Sequence, residues 1–302
     1  MTAIASTIRT REPIEPMRLH YFEPWSWKQF QQHFALRRLP GVEHLTPDSY
    51  CRSFRLGARS GWFRLRPIPG ALELELSPSA QDLEPQLTPR IRQMFDLDCD
   101  PAAIAQHLGR DPLLQGLLAR YPGLRLPVAF DPFEQGVRTI IGQQVTVKAA
   151  VTIAGRLVER LGEPLADAEV EGPQRLFPTP QTIADDPLPG IGMPGKRVDT
   201  LRRFAQAVAD GSLELNLAAG IESLIERLCA LPGVGRWTAE YIALRAFGQP
   251  DAFPSADLGL LKSPLWGPGG INARELASRA EQWRPWRAYA AVYLWQSYAE
   301  EK

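Results

Sequence analysis

The sequence predicts an α+β fold, with a small N-terminal antiparallel α+β domain followed by an all-helical region in two parts. Two changes of pattern carry this reading. Between Ser53 and Leu76, apolar residues (Trp62, Leu65 and Ile68, then Leu72, Leu74 and Leu76) recur at strand-like spacing on either side of the turn formers Pro69-Gly70. From about residue 85 onward the spacing becomes helical, in segments near 102–109, 133–162, 196–209, 221–230, 236–247, 272–281 and 285–299 separated by Pro and Gly. With 302 residues, 44% of them hydrophobic, the chain can bury a substantial core.

In chain order, residues 1–17 are polar, proline-containing and without period, and are expected to form a flexible tail outside the fold. Trp25 to Phe34 reads as a helix that joins the strands in a domain spanning 18–107, and the helical region spans 108–302. Glu163 to Thr179, rich in Pro and acidic residues, reads as a surface connector between helices. The stretches Leu188-Pro-Gly-Ile-Gly192 and Leu231-Pro-Gly-Val-Gly235 resemble one another. Only the second leads directly into a helix-forming run, because Met193-Pro194-Gly195 delays the first.

Composition narrows the classes of function. Lys plus Arg and Asp plus Glu each number 34, so the net charge is zero. Any nucleic-acid binding must therefore come from a locally basic face and from backbone amides. The longest apolar runs are too short to span a bilayer, and the N-terminus lacks the layout of a signal peptide, so the expectation is a cytoplasmic protein without membrane segments. The three cysteines are far apart, and the four histidines all lie in the first 107 residues without a second ligand at metal spacing, which points to structural or surface roles.

Ile221, Leu224, Ile225 and Leu228 are spaced as one helix face, and Thr238, Tyr241, Ile242 and Arg245 repeat that spacing after Gly235. Two helices over about 221–247 are thus joined by Pro-Gly-Val-Gly. Gly233 and Gly235 permit unusual backbone angles and carry no side chain, so N–H groups at the start of the second helix can face a phosphate. The same turn would also serve as a plain link in a helical hairpin. Downstream, Asp257 precedes Leu258 to Leu261, where a helix N-cap is the ordinary role of an Asp and Ser255 is an equally good cap.

The hairpin, with Arg236 and Thr238 beyond it, resembles the helix-hairpin-helix DNA-binding motif. Its resemblance implies that Gly233, Val234, Gly235, Arg236 and Thr238 hold DNA, and that the backbone carbonyls of Cys229, Leu231 and Val234 can hold a Na⁺ or K⁺ bridging to phosphate. Trp25-Ser-Trp27, Pro122 to Pro127, Phe133 to Arg138, Ile141-Gly-Gln143, Phe177 to Pro180, Gly192-Met-Pro194, Gly233 to Ala239 and Trp283 to Ala290 extend the match. In this order they resemble the AlkA-type family, bacterial 3-methyladenine DNA glycosylases II, from about residue 20 to residue 298.

That resemblance implies an active-site cleft between residues 132–249 and 250–302, with Asp257 as the catalytic carboxylate and Asp251 as second choice. A carboxylate beside C1′ stabilises the positive charge that builds on deoxyribose when an N-glycosidic bond breaks. Trp237, Tyr241 and Trp295 become walls of a base pocket, with Phe30, Phe34 and Leu258 as additions, although large aromatics at helical spacing are also ordinary core. Electron-rich rings suit a cationic alkylated purine. Gln143 and Gln144, read as a pair within one helix, stand where a side chain enters the duplex, in place of the usual Leu. Leu258 and Gly259 replace bulkier Tyr and Leu, which leaves pocket size open.

Bifunctional relatives carry a Lys where this chain has Trp237, so the resemblance implies a monofunctional, water-using glycosylase without lyase activity. Only Cys229 lies in the C-terminal part, which rules out the four-cysteine pattern of an iron–sulfur cluster, and no cofactor is expected beyond the hairpin Na⁺ or K⁺. The expected partner is duplex DNA with damaged bases, met by a monomer in the bacterial cytoplasm and nucleoid. A glycosylase for an oxidised or deaminated base, or a non-catalytic helix-hairpin-helix DNA-binding protein, remain the alternatives.

Overall fold

The computed structural model describes residues 17–300. One antiparallel sheet runs in the order β1-β5-β4-β3-β2, built from β1 (Met17–His20), β2 (Glu43–Leu45), β3 (Tyr50–Leu56), β4 (Arg59–Ile68) and β5 (Ala71–Leu76). Helix α1 (Trp27–Arg37) sits between the first two strands in sequence, its start capped by Ser26. Met17 pairs opposite Leu74, so it belongs to the sheet and not to the expected tail; residues 1–16 of that tail lie outside the described residues.

The period-two pattern sends Phe63, Leu65, Leu72 and Leu74 onto one sheet face, where they bury Phe30 and Phe34 of α1. Trp62 points to the other face and packs with Cys51, Leu165 and Leu176. The connector after residue 163 is therefore more than a surface loop. It returns to the sheet, pairs Pro164 with Arg175, and accepts the Trp62 indole N–H at the Asp167 carbonyl at 2.8 Å.

The helices are α2 (Glu84–Met94), α3 (Pro101–Leu108), α4 (Pro112–Arg120), α5 (Pro132–Ile141), α6 (Val147–Leu161), α7 (Pro180–Asp185), α8 (Gly195–Ala209), α9 (Ile221–Cys229), α10 (Arg236–Phe247), α11 (Leu258–Leu261), α12 (Ala273–Ala280) and α13 (Arg287–Glu300). Asp-Pro pairs start α3, α4 and α5. In each, Asp100, Asp111 or Asp131 accepts backbone N–H groups of the first turn, while the proline takes the position that has no N–H bond to lose.

Ile104 and Leu108 of α3 pack into the helical core, whereas the N-terminal core ends at Leu97 apart from Phe130. Leu39 and Val42 also belong to the helical core, so the two cores interleave along the chain. The stretch expected as one helix over 133–162 is two. Gly142 ends α5, Gln144 adopts φ 57°, a left-handed angle that a helix does not accommodate, and Thr146 caps α6. Among the described residues, no helix is long and apolar enough to cross a membrane.

The two cores are joined through charge. Arg52 of β3 meets Glu134 of α5 at 2.5 Å with both side chains buried, and Arg138 meets the same carboxylate at 2.9 Å. The extended segment Leu124–Phe130 lies along the seam, with Val128 N–H on the Met94 carbonyl and Ala129 N–H on the Arg245 carbonyl.

Candidate active site

Asp257 caps α11, and its capping oxygen does more than cap. Oδ1 accepts Gly259 N–H at 2.9 Å, Leu260 N–H at 3.2 Å and the Trp295 indole N–H at 2.8 Å. Oδ2 accepts the Trp237 indole N–H at 3.1 Å. Four donors from three elements therefore fix the carboxylate while it stays half-exposed. Helix α10 supplies Trp237 and Tyr241 one turn apart, and α13, packed on α11, supplies Trp295.

The three rings form a continuous wall. Trp237 stacks on Tyr241 with centroids 5.4 Å apart, and Tyr241 meets Trp295 edge-on at 5.9 Å. All three remain half-buried, and Leu258 beside them is 59% exposed. A large apolar side chain in solvent next to a fixed carboxylate suits an apolar ligand entering from outside.

Phe30 and Phe34 do not join this wall. Phe30 is fully buried in the N-terminal core, stacked on Trp25 at 5.0 Å, and Phe34 stacks on Tyr50 at 4.3 Å. Sheet packing claims both rings, and a helix face of aromatics cannot serve a core and a cleft together. Asp251, the second choice for catalysis, is ion-paired with Arg287 at 2.8 Å and with Arg284, which commits it to holding the start of α13.

The hairpin between α9 and α10 exposes Gly233, Gly235 and Arg236, while the Val234 side chain is buried as its anchor. Gly233 has φ 88°, and a Cβ there would lie 2.1 Å from Thr200 Oγ1 of α8, so only glycine fits. Thr238 differs from its expected role at the DNA: its side chain is buried and accepts Gln143 Nε2 at 3.0 Å, while Gln143 also donates to the Gly233 carbonyl at 3.1 Å. Gln143 thus staples the α5–α6 loop to the hairpin, and Gln144 stands exposed at the tip of that loop. The Leu231 carbonyl accepts Val234 N–H at 3.1 Å; it shares the hairpin with the Cys229 and Val234 carbonyls.

Comparison with known sequences decides the family. A family model described as AlkA N-terminal domain matches residues 16–131, and one described as HhH-GPD superfamily base excision DNA repair protein matches residues 137–266. The Escherichia coli protein named DNA-3-methyladenine glycosylase 2 is 35% identical over 283 residues, 92% of this chain and 95% of its own length. The chain belongs to the AlkA-type DNA glycosylase family. A Mycobacterium tuberculosis protein named probable bifunctional transcriptional activator/DNA repair enzyme AlkA is 36% identical over 97% of this chain, but the chain spans only 58% of that protein's length. The solved 3-methyladenine DNA-glycosylase of Archaeoglobus fulgidus shares the fold, with a TM-score of 0.81 at 22% identity over 94% of this chain and 98% of its own.

In this AlkA-type chain two features of the site escaped the sequence. Arg245 falls on the buried stripe of α10, one turn after Tyr241. It is 6% exposed, and its guanidinium lies 4.7 Å from the Trp295 ring centroid and 5.8 Å from that of Tyr241. The signal was present, since a charged residue stood in an otherwise apolar helix face. In the sequence Gly259 reads only as a small replacement; its missing side chain is what lets the Trp295 edge reach Asp257, because a Cβ there would sit 3.0 Å from Trp295 Cδ1 and 3.2 Å from Asp257 Oδ1.

Proposed function

We propose that this chain is a monofunctional DNA glycosylase that takes an alkylated purine out of duplex DNA and hydrolyses its N-glycosidic bond with Asp257. The observation that carries the reading is the Asp257 carboxylate, held by four N–H donors beside three half-exposed aromatic rings. A preorganised anion of this kind costs no reorganisation when positive charge develops on the sugar, and the rings receive the flipped base by stacking and cation–π attraction. An N3- or N7-alkylated purine already carries positive charge and leaves readily, so water can complete the reaction without a strong general acid.

The exposed amides of the hairpin hold a backbone phosphate, and the carbonyls of Cys229, Leu231 and Val234 would hold a Na⁺ or K⁺ that adds positive charge beside it. Gln144 at its loop tip fills the gap left by the flipped base and hydrogen-bonds the orphaned partner. Trp237 stands where a Schiff-base lysine would be needed for lyase chemistry, which supports hydrolysis alone. The chain acts as a monomer on the DNA of the bacterial cytoplasm. A cationic lesion is favoured over an oxidised or deaminated one because the pocket wall is aromatic.

The test is product analysis. Purified chain with duplex DNA carrying 7-methylguanine and 3-methyladenine should release free methylated base and leave intact strands at abasic sites, with no product trapped by borohydride. Release of oxidised or deaminated bases in preference to methylated ones, or a borohydride-trapped covalent product, would overturn the assignment.

A further inference from the structure

Behind the aromatic wall, at the seam between the two cores, lies a cavity of about 40 Å³ lined by residues that include His33, Arg37, Glu43, Arg52, Glu134, Arg138 and Arg245. That volume holds two or three waters or one compact ion. Its wall is unbalanced in charge: four guanidinium groups face two carboxylates. Both carboxylates are taken, since Glu134 binds Arg52 at 2.5 Å and Arg138 at 2.9 Å, and Glu43 lies 3.8 Å from Arg52 and 3.5 Å from Arg138. Glu43 also accepts the Tyr50 hydroxyl and the Leu39 amide at 2.6 Å each.

Arg37 and Arg245 are left over. Neither has a carboxylate within ion-pair distance among the described residues. Arg245 is 6% exposed, spends one N–H on the Pro127 carbonyl at 3.1 Å, and its Nε has no partner. A buried guanidinium with an idle donor, and with no carboxylate nearer than the longer-range charge of Asp257, is costly unless something anionic satisfies it. Apart from desolvation, the strongest influences on His33 in the same wall are Arg37, then Arg245, then Arg138, and all act to keep its ring neutral. The excess positive charge therefore also acts on His33.

We propose that this cavity is a binding site for a small monovalent anion of halide size, held by Arg37 and by the free Nε–H of Arg245. The anion supplies the missing counter-charge and fixes the guanidinium that lies against Trp295, one side chain away from Asp257. The site stands whether or not Asp257 is the catalytic carboxylate, because its evidence is the cavity and the two unpaired arginines alone.

The full chain is melted at constant ionic strength while sodium glutamate, whose anion is too large for the cavity, is replaced by sodium chloride or bromide. The wild type should gain about 3 °C in a saturable way, and Arg37→Gln should gain less than about 1 °C. Crystals of the wild type grown in bromide should show anomalous density against Arg37 and Arg245, a measurement that does not depend on any variant folding. A melting temperature that does not distinguish halide from glutamate, or water alone in the cavity of bromide crystals, overturns the proposal.

Discussion

Trp295 donates its indole N–H to Oδ1 of Asp257 at 2.8 Å, so a ring expected only as a pocket wall also holds the carboxylate in place. Trp295→Phe keeps an aromatic surface and removes the donor. A hydrogen bond to a charged group contributes about 1.5–3 kcal/mol. The single-turnover rate of base release should fall about 10- to 100-fold, with DNA affinity nearly unchanged. An unaltered rate would show that the bond positions nothing.

Gly259→Ala places a methyl 3.0 Å from Trp295 Cδ1 and 3.2 Å from Asp257 Oδ1. Backbone angles do not forbid the change; the tight contact opposes it. Release should slow by about 3- to 10-fold, the loss of roughly 0.6–1.4 kcal/mol of transition-state stabilisation, while the melting temperature shifts little. A variant as fast as wild type would mean that Trp295 tolerates displacement.

Thr238→Val removes the hydroxyl that accepts Gln143 Nε2 at 3.0 Å within a buried site. Shape is kept, so the fold should persist, but the α5–α6 loop loses one of its two ties to the hairpin. Duplex binding measured by anisotropy should weaken about fivefold, about 1 kcal/mol, with Gln143 still bonded to Gly233. Unchanged affinity would separate the loop from DNA binding.

His33 contributes to the loss of stability in acid. Desolvation first, then the charges of Arg37, Arg245 and Arg138, hold its ring well below the ordinary value of 6.5, while Glu43 and Glu134 across the cavity are engaged with Arg52 and Arg138. As pH falls through about 6.5 the unfolded chain takes up this proton and the folded chain does not. The unfolded state then binds more protons, so stability falls with falling pH, by at most about 1.4 kcal/mol per unit. Urea unfolding at pH 7.5, 6 and 5 should show a smaller loss for His33→Gln than for wild type. Equal slopes would contradict the assignment.

The sheet and most helices were legible because burial imposes its period on the sequence: Leu72 and Leu74 mark one face of β5, and Leu224, Ile225 and Leu228 one face of α9. The helix break at Gln144 was only partly legible: Gly142 and Thr146 are local stop and start signals, whereas the tie from Gln143 to the distant hairpin is tertiary. Helix α2 carries Pro89 inside it and would read as interrupted. In the site, Asp257, Trp237, Tyr241 and Trp295 could be named through the resemblance to the AlkA-type family, while spacing alone reads as a helix cap and core aromatics. Phe30 and Phe34 could not be told apart from pocket residues by spacing, since a core aromatic and a cleft aromatic look alike until the sheet is in place. The charge imbalance around Arg245 is tertiary, drawn from residues as far apart as Arg37 and Glu134.

Whether Asp257 does the chemistry is tested by base release from duplex DNA containing 7-methylguanine, with wild type and Asp257→Asn compared at equal, saturating DNA occupancy. Asparagine keeps the size and an oxygen for the α11 cap but removes the charge. Release should drop by at least about 100-fold, the loss of at least about 2.7 kcal/mol, with duplex affinity retained. Equal release by the two proteins would contradict a catalytic role for Asp257.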